Sequence, residues 1–303
     1  MYNYNMEFIS TLKETLSSNT AINEVFQKFS VENFNINTNN EKECIDLIDN
    51  LFIVFSDKNK KNYEYAYEFI IHIIKNSSKW CIPYICFKLK DLTSEGVRGQ
   101  MEYGYKIMKF IVNNYPIQIK MTMPLLISIV ATDVNDVNPN VKNIALEVLK
   151  EFLQCSGNSD LDVFIPSVLT GLKSPNTIEK CVEDLASCVF VQNVESPALS
   201  IITPILFRAL TDKKTATKRK ACLIIDNMCK LVEHPKEVLP FYERMKKSLE
   251  LCIDAMSDPE ARKMAEKSLN TLKGCCSDNE NMRYQISSED IKVELQKYIN
   301  KSI

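Results

Sequence analysis

Residues that carry chemistry are scarce in this chain of 303 residues: it has two histidines, one tryptophan and six glycines. His72 lies in the apolar run FIIHII and His234 stands before Pro235 at a helix end. Neither has a cysteine or histidine at ligand spacing, which excludes an ordinary zinc site. No GxxxxGKS/T loop occurs, so loop-cradled nucleotide binding is unsupported. GxSxG and HExxH are also absent. Acidic residues are plentiful but scattered. The reading is a non-enzyme with no cofactor and no small-molecule substrate. No apolar run approaches the length a membrane helix needs. The N-terminal MYNYNM lacks a cationic segment followed by an apolar one, so secretion is not expected and a cytoplasmic location is.

What the chain does have is eleven cysteines and a periodic proline. Cys181 and Cys188 are seven apart, as are Cys222 and Cys229. That spacing puts each pair on one face of one helix, too far apart to bridge within it. No CxxC pair occurs, and the expectation is free thiols buried as small apolar residues in a reducing compartment. Pro83, Pro124, Pro166, Pro204 and Pro240 each precede an apolar run, at intervals of 41, 42, 38 and 36 residues. Proline suits the first turn of a helix, where its missing N–H would be unpartnered anyway. A period near forty is the signature of a helical solenoid.

The second half of each unit recurs too. A small or apolar residue, a cation, and another small or apolar residue three places on appear in 97–101, 141–145 and 261–265, and more loosely in 217–221. The copy at 178–181 breaks the pattern, with Glu179 where the cation belongs. This two-helix grammar resembles the HEAT repeat. The resemblance implies a ladder in which turn aspartates meet cations of neighbouring second helices: Asp133, Asp212 and Asp258 as acids, Lys142 and Arg262 as cations. The expected fold is all-α, a right-handed α-solenoid of about seven HEAT-like helix pairs.

Along the chain, 6–17 and 21–30 read as short amphipathic helices forming an N-terminal cap pair within 1–32. An Asn-rich loop at 33–40 follows, then a pair at 41–55 and 63–76. Five better-marked pairs cover about 79–113, 120–154, 160–193, 198–233 and 237–273. Ala221, Ile225, Met228 and Val232 are spaced as one buried helix face. A solenoid grows by layers, so one elongated domain over 1–273 is expected, followed at 274–303 by a polar linker and a C-terminal helix or tail.

Charge is uneven. The net charge is −2, yet 200–275 holds 15 Lys or Arg against 10 Asp or Glu. Arg208, Lys213, Lys214, Lys218, Arg219 and Lys220 form the densest basic stretch, at a turn and the start of the next helix. Cations at a turn can reach phosphate without disturbing a stack, and a helix N-terminus adds unpartnered N–H groups. These six are the candidate RNA-contacting residues. The competing reading is a solvated face, with Lys218 a ladder cation.

The stretch 218–233, KRKACLIIDNMCKLVE, is more specific than any repeat consensus. It resembles the matching helix in the N-terminal HEAT domain of fungal translation elongation factor 3. The segments LSIITPILFRAL at 199–210, DPEAR at 258–262, LNTL at 269–272, FIPS at 164–167 and VFQKFSV at 25–31 are similar to that domain as well. The resemblance implies docking on the ribosome, with ribosomal RNA and ribosomal proteins near the head of the small subunit as partners. Other translation factors are further candidate partners, and no membrane is involved. The family's two ATP-binding cassettes are not found in these residues, so only the docking role is implied. The large HEAT-repeat activator of the amino-acid-starvation kinase carries a related region and also binds ribosomes. Two functions follow: a non-catalytic ribosome-binding module that modulates elongation, or a general protein–protein scaffold that no longer binds the ribosome.

Overall fold

The computed structural model describes residues 2–18, 22–31, 41–57, 59–79 and 81–276. The Asn-rich loop and the expected C-terminal helix or tail beyond 276 lie outside the described residues. Within them every regular element is a helix. The described residues form two compact units, one of 2–122 and 138–144, the other of 123–137 and 145–276.

The first unit contains α1 (Tyr2–Ser18), α2 (Ile22–Lys28), α3 (Glu41–Val54), α4 (Lys61–Asn76), α5 (Cys81–Glu95), α6 (Arg98–Asn114) and the short α7 (Pro116–Lys120). The helices pair in sequence, and the pairs stack in two rows. First helices pack together as α1 on α3 and α3 on α5, and second helices as α2 on α4 and α4 on α6. No pair can bury its apolar face alone, so the layering is what completes the core. In α4, Tyr63, Ala66, Phe69, Ile70, Ile73 and Ile74 are buried at helical spacing.

The second unit repeats this scheme. Its helices are α8 (Met123–Asp133), the greater part of α9 (Pro139–Gln154), α10 (Ser159–Asp162), α11 (Ile165–Lys173), α12 (Ile178–Ala186), α13 (Ser196–Leu210), α14 (Thr215–Cys229), α15 (Pro235–Asp254) and α16 (Pro259–Cys276). First helices α8, α11, α13 and α15 pack in one row, and second helices α12, α14 and α16 in another. Gly171 lets this row close tightly. A Cβ there would stand 3.0 Å from Cys181 Sγ and from Ile205 Cδ1. With α9 as the second helix after α8, the described residues contain seven helix couples in chain order.

Several sequence expectations need correction. Pro83, Pro124 and Pro166 do fall in first turns, but Pro204 and Pro240 lie inside α13 and α15. Those helices begin earlier, with Pro197 and Pro235 in their first turns. Proline at position 204 cannot donate to the carbonyl of Ser200, and the Thr203 hydroxyl donates to it instead at 3.5 Å. Cys181 and Cys188 do not share a helix, because α12 ends at Ala186. The Cys188 thiol donates to Asp160 O at 3.4 Å. Val232 follows the end of α14 and is half-buried, whereas Ala221, Ile225 and Met228 are buried as expected. α16 continues through Gly274 to Cys276. His234 is the N-cap residue of α15, but its side chain makes no capping bond. Ten of the eleven cysteines are buried and Cys275 is partly exposed.

Candidate functional site

The basic segment spans the end of α13, the turn 211–214 and the first turns of α14. The turn is fixed locally. Asp212 Oδ1 accepts from the Lys214 N–H at 2.7 Å, and the Thr211 hydroxyl donates to Arg208 O at 2.9 Å. Lys214, in extended backbone, is the N-cap of α14 and offers no side-chain acceptor. Thr217, in the first turn, is buried with its hydroxyl oxygen lacking a hydrogen-bond partner.

The six candidate cations differ in their surroundings. Arg208 points inward. Its guanidinium donates to Leu172 O at 2.9 Å, Gly171 O at 3.3 Å and Ala131 O at 3.2 Å. These carbonyls belong to the last turns of α11 and α8, where helix ends leave acceptors unpaired and favour positive charge. Burial pulls the Arg208 guanidinium below its ordinary value. Lys213 is exposed, Lys218 half-buried, and neither forms an ion pair among the described residues. Arg219 is exposed, with Glu260 at 3.9 Å. Lys214 Nζ lies 2.5 Å from Glu179 and Lys220 Nζ 2.6 Å from Glu183, both acids on α12. The hydrogen bond to Glu179 raises the Lys214 ammonium above its ordinary value, with the carboxylate's charge adding to the effect. Beside these residues an open groove of 430 Å³ runs between the starts of α14 and α16, lined by Thr215, Ala216, Arg219, Lys220, Leu223, Asp258 and Met264.

The residues expected in the ladder occupy turns and caps. Asp133 is the last residue of α8 and half-buried, and Lys142 is exposed on α9. Asp212 holds the turn already described. Asp258 Oδ1 accepts from the Glu260 N–H at 3.0 Å, capping α16. The Arg262 guanidinium donates to Met256 O at 3.2 and 2.5 Å, within its own helix couple.

The strongest polar tie between second helices involves a residue that sequence reasoning passed over. Asp226 on α14 is fully buried. It accepts from Lys230, the C-cap residue of its own helix, at 2.7 Å, and from Lys267 at 3.1 Å and the Thr271 hydroxyl at 2.6 Å on α16. Burial pushes its carboxyl up, but these hydrogen bonds outweigh burial and leave it below its ordinary value. One turn earlier, the Ser268 hydroxyl donates to Cys222 O at 2.7 Å. An acid within the apolar run LIIDNM was the available signal for Asp226. For Glu179 it was the missing cation of the repeat pattern.

Paired helices stacked in two rows, with polar ties at the seams, define a protein of the HEAT-repeat class. Residues 177–283 match the family model described as "Elongation factor 3/GNC1 HEAT repeat". That segment belongs to this family, and it contains α12 to α16 and all six candidate cations. The chain is 29% identical to elongation factor 3 of Candida albicans over 301 residues, 97% of this chain and 29% of that protein. It is 38% identical to elongation factor 3 of Phytophthora infestans over 157 residues, 52% of this chain and 15% of that protein. With elongation factor 3B of Saccharomyces cerevisiae it shares 33% over 204 residues, 67% of this chain and 18% of that protein. The chain thus spans less than a third of the length of these relatives.

Proposed function

We propose that this chain is a non-catalytic ribosome-binding module that modulates translation elongation. The observation that carries the reading is a coincidence of place. The segment matching the elongation factor 3/GNC1 HEAT repeat also presents the exposed Lys213 and Arg219 and the half-buried Lys218 at the turn before α14 and its first turns. Lys213, Lys218 and Arg219 are the proposed first contacts to ribosomal RNA phosphates, with Lys214 and Lys220 beside them. Arg208 is left out of this surface, because its guanidinium is committed to three carbonyls. Ribosomal proteins are the other proposed partners and the cytoplasm the proposed site of action. No nucleotide turnover is expected, since the sequence contains no phosphate loop.

A second reading, a protein-binding scaffold, is favoured by one observation. Glu179 and Glu183 already neutralise two of the cations. Co-sedimentation with ribosomes at graded salt separates the two. Lys213→Glu with Lys214→Glu and Arg219→Glu should abolish association at physiological salt, and each lost contact should flatten the log–log salt dependence by about one unit. The helical signal and melting temperature should stay near those of the parent, since exposed substitutions are usually worth within about 0.5 kcal/mol. Undiminished association of the triple variant would leave the scaffold reading in place.

A further inference from the structure

The α12 helix turns one face inward and one toward the basic segment. Ile178, Cys181, Val182 and Leu185 are buried, and Glu179 and Glu183, one turn apart, lie on the opposite side. Each meets one lysine at the start of α14, the N-cap Lys214 or Lys220, so the two ion pairs run in register across the α12–α14 seam. All four side chains remain solvated, at 63% and 50% exposure for Lys214 and Glu179 and 37% and 64% for Lys220 and Glu183. Solvent-exposed pairs of this kind are held weakly and can be exchanged for another anion.

We infer that Glu179 and Glu183 are specificity-determining residues. They act as internal counter-ions that withhold Lys214 and Lys220 until a nucleic-acid phosphate displaces them. The inference rests on the RNA-contacting reading of this face. It divides the cations into two sets. Lys213, Lys218 and Arg219 meet an incoming backbone first, since Arg219 has only the long 3.9 Å contact to the exposed Glu260 and the two lysines have no ion pair among the described residues. Lys214 and Lys220 join only when phosphates are held where the carboxylates now are. A flexible single strand presents its phosphates at shifting positions and competes poorly with two fixed carboxylates. A backbone already ordered by its own fold competes well. The acids therefore suppress binding to stray RNA more than binding to a structured site.

The alternative role for the same pairs is a structural tie between α12 and α14. The two roles make different demands. A tie, once cut, lowers the melting temperature and leaves RNA affinity alone; a counter-ion, once removed, does the reverse.

The test uses the full chain and a fluorescent single-stranded oligouridylate, read by anisotropy over graded sodium chloride. Glu179→Gln with Glu183→Gln should tighten binding about tenfold, from up to about fivefold per exposed pair. The log–log salt dependence should steepen by about 1.4, because two more phosphates on a single strand each contribute about 0.7. The same two changes placed over Lys214→Met and Lys220→Met should give no such gain. Unchanged affinity and slope would overturn the inference, showing that the lysines are never withheld. An equal gain without the lysines would overturn it too, because only net charge would then be felt. The ribosome experiment on the triple reversal is independent. Lost co-sedimentation with no gain here keeps docking and removes the counter-ion role; the converse keeps the counter-ion role and removes docking.

Discussion

The two units close their helix seams with different chemistry. In the first, α1, α2 and α4 meet through aromatic rings. Phe8 stacks on Phe69 with centroids 4.7 Å apart and planes 11° from parallel, and Phe26 stacks on Tyr65 at 5.3 Å and 15°. In the second, α14 and α16 meet through Asp226, Lys267, Thr271 and Ser268. Aromatic contact rewards area and tolerates small shifts. A buried carboxylate does not, since it is tolerable only while every acceptor site is satisfied. The first seam supplies bulk cohesion. The second fixes how far α14 can slide against α16, and α14 is the helix whose first turns carry the candidate cations.

The largest expected effect lies in the aromatic seam. Phe69 is 1% exposed and packs against both Phe8 and Phe26. Phe69→Ala should destabilise the protein by about 3–5 kcal/mol, the usual range for deleting a buried ring and leaving a cavity. Denaturant unfolding followed by the helical signal checks this. No titrating group belongs to the contact, so the loss should be the same at pH 7 and at pH 4.

A smaller effect with a pH signature is expected from the polar seam. Asp226→Ala removes the acceptor for two lysines and a threonine, but both lysines keep solvent, at 49% and 56% exposure. The loss should therefore fall short of the fully buried case, at about 2–3 kcal/mol. Because the Asp226 carboxyl is held below its ordinary value of 3.8, folding favours the ionised form. Its contribution is present above that value and fades as pH falls through the lowered one. The stability gap between the parent and Asp226→Asn should be widest near neutrality and narrow below about pH 4. A gap that is constant over that window would mean Asp226 contributes by shape alone, and the contrast between the seams would vanish.

The sequence disclosed the fold more fully than the site, for a physical reason. Repeat period and amphipathic spacing are local properties of a stacked fold, so the seven helix couples could be placed from them, although the short α7 and α10 were not foreseen. Pro204 and Pro240 misled about helix starts because both lie within longer helices; at Pro204 the Thr203 hydroxyl takes the abandoned carbonyl. The basic segment was visible as composition, but its division was not. Whether Lys214 is paired depends on Glu179, 35 residues away, and whether Lys220 is paired depends on Glu183, 37 residues away. Arg208 shows the limit most clearly. In sequence it is one more cation near a turn; in the fold it closes the ends of two other helices.

Arg208 also gives the last and smallest of these tests. Arg208→Met keeps the length and apolar stem of the side chain but leaves the carbonyls of Ala131, Gly171 and Leu172 without this donor. Leu172 O still accepts from the Asn135 side-chain amide at 3.1 Å, so not all of the bonding is lost. The expected destabilisation is about 1–2 kcal/mol, near the lower part of the range for unsatisfied buried acceptors. Arg208→Lys should recover little of it, because one ammonium cannot reproduce a fork that reaches two helix ends. Ribosome association, measured well below the melting temperature, should be unchanged in both variants. If Arg208→Met instead lowered association while leaving stability intact, Arg208 would belong with Lys213 and Arg219 on the contact surface.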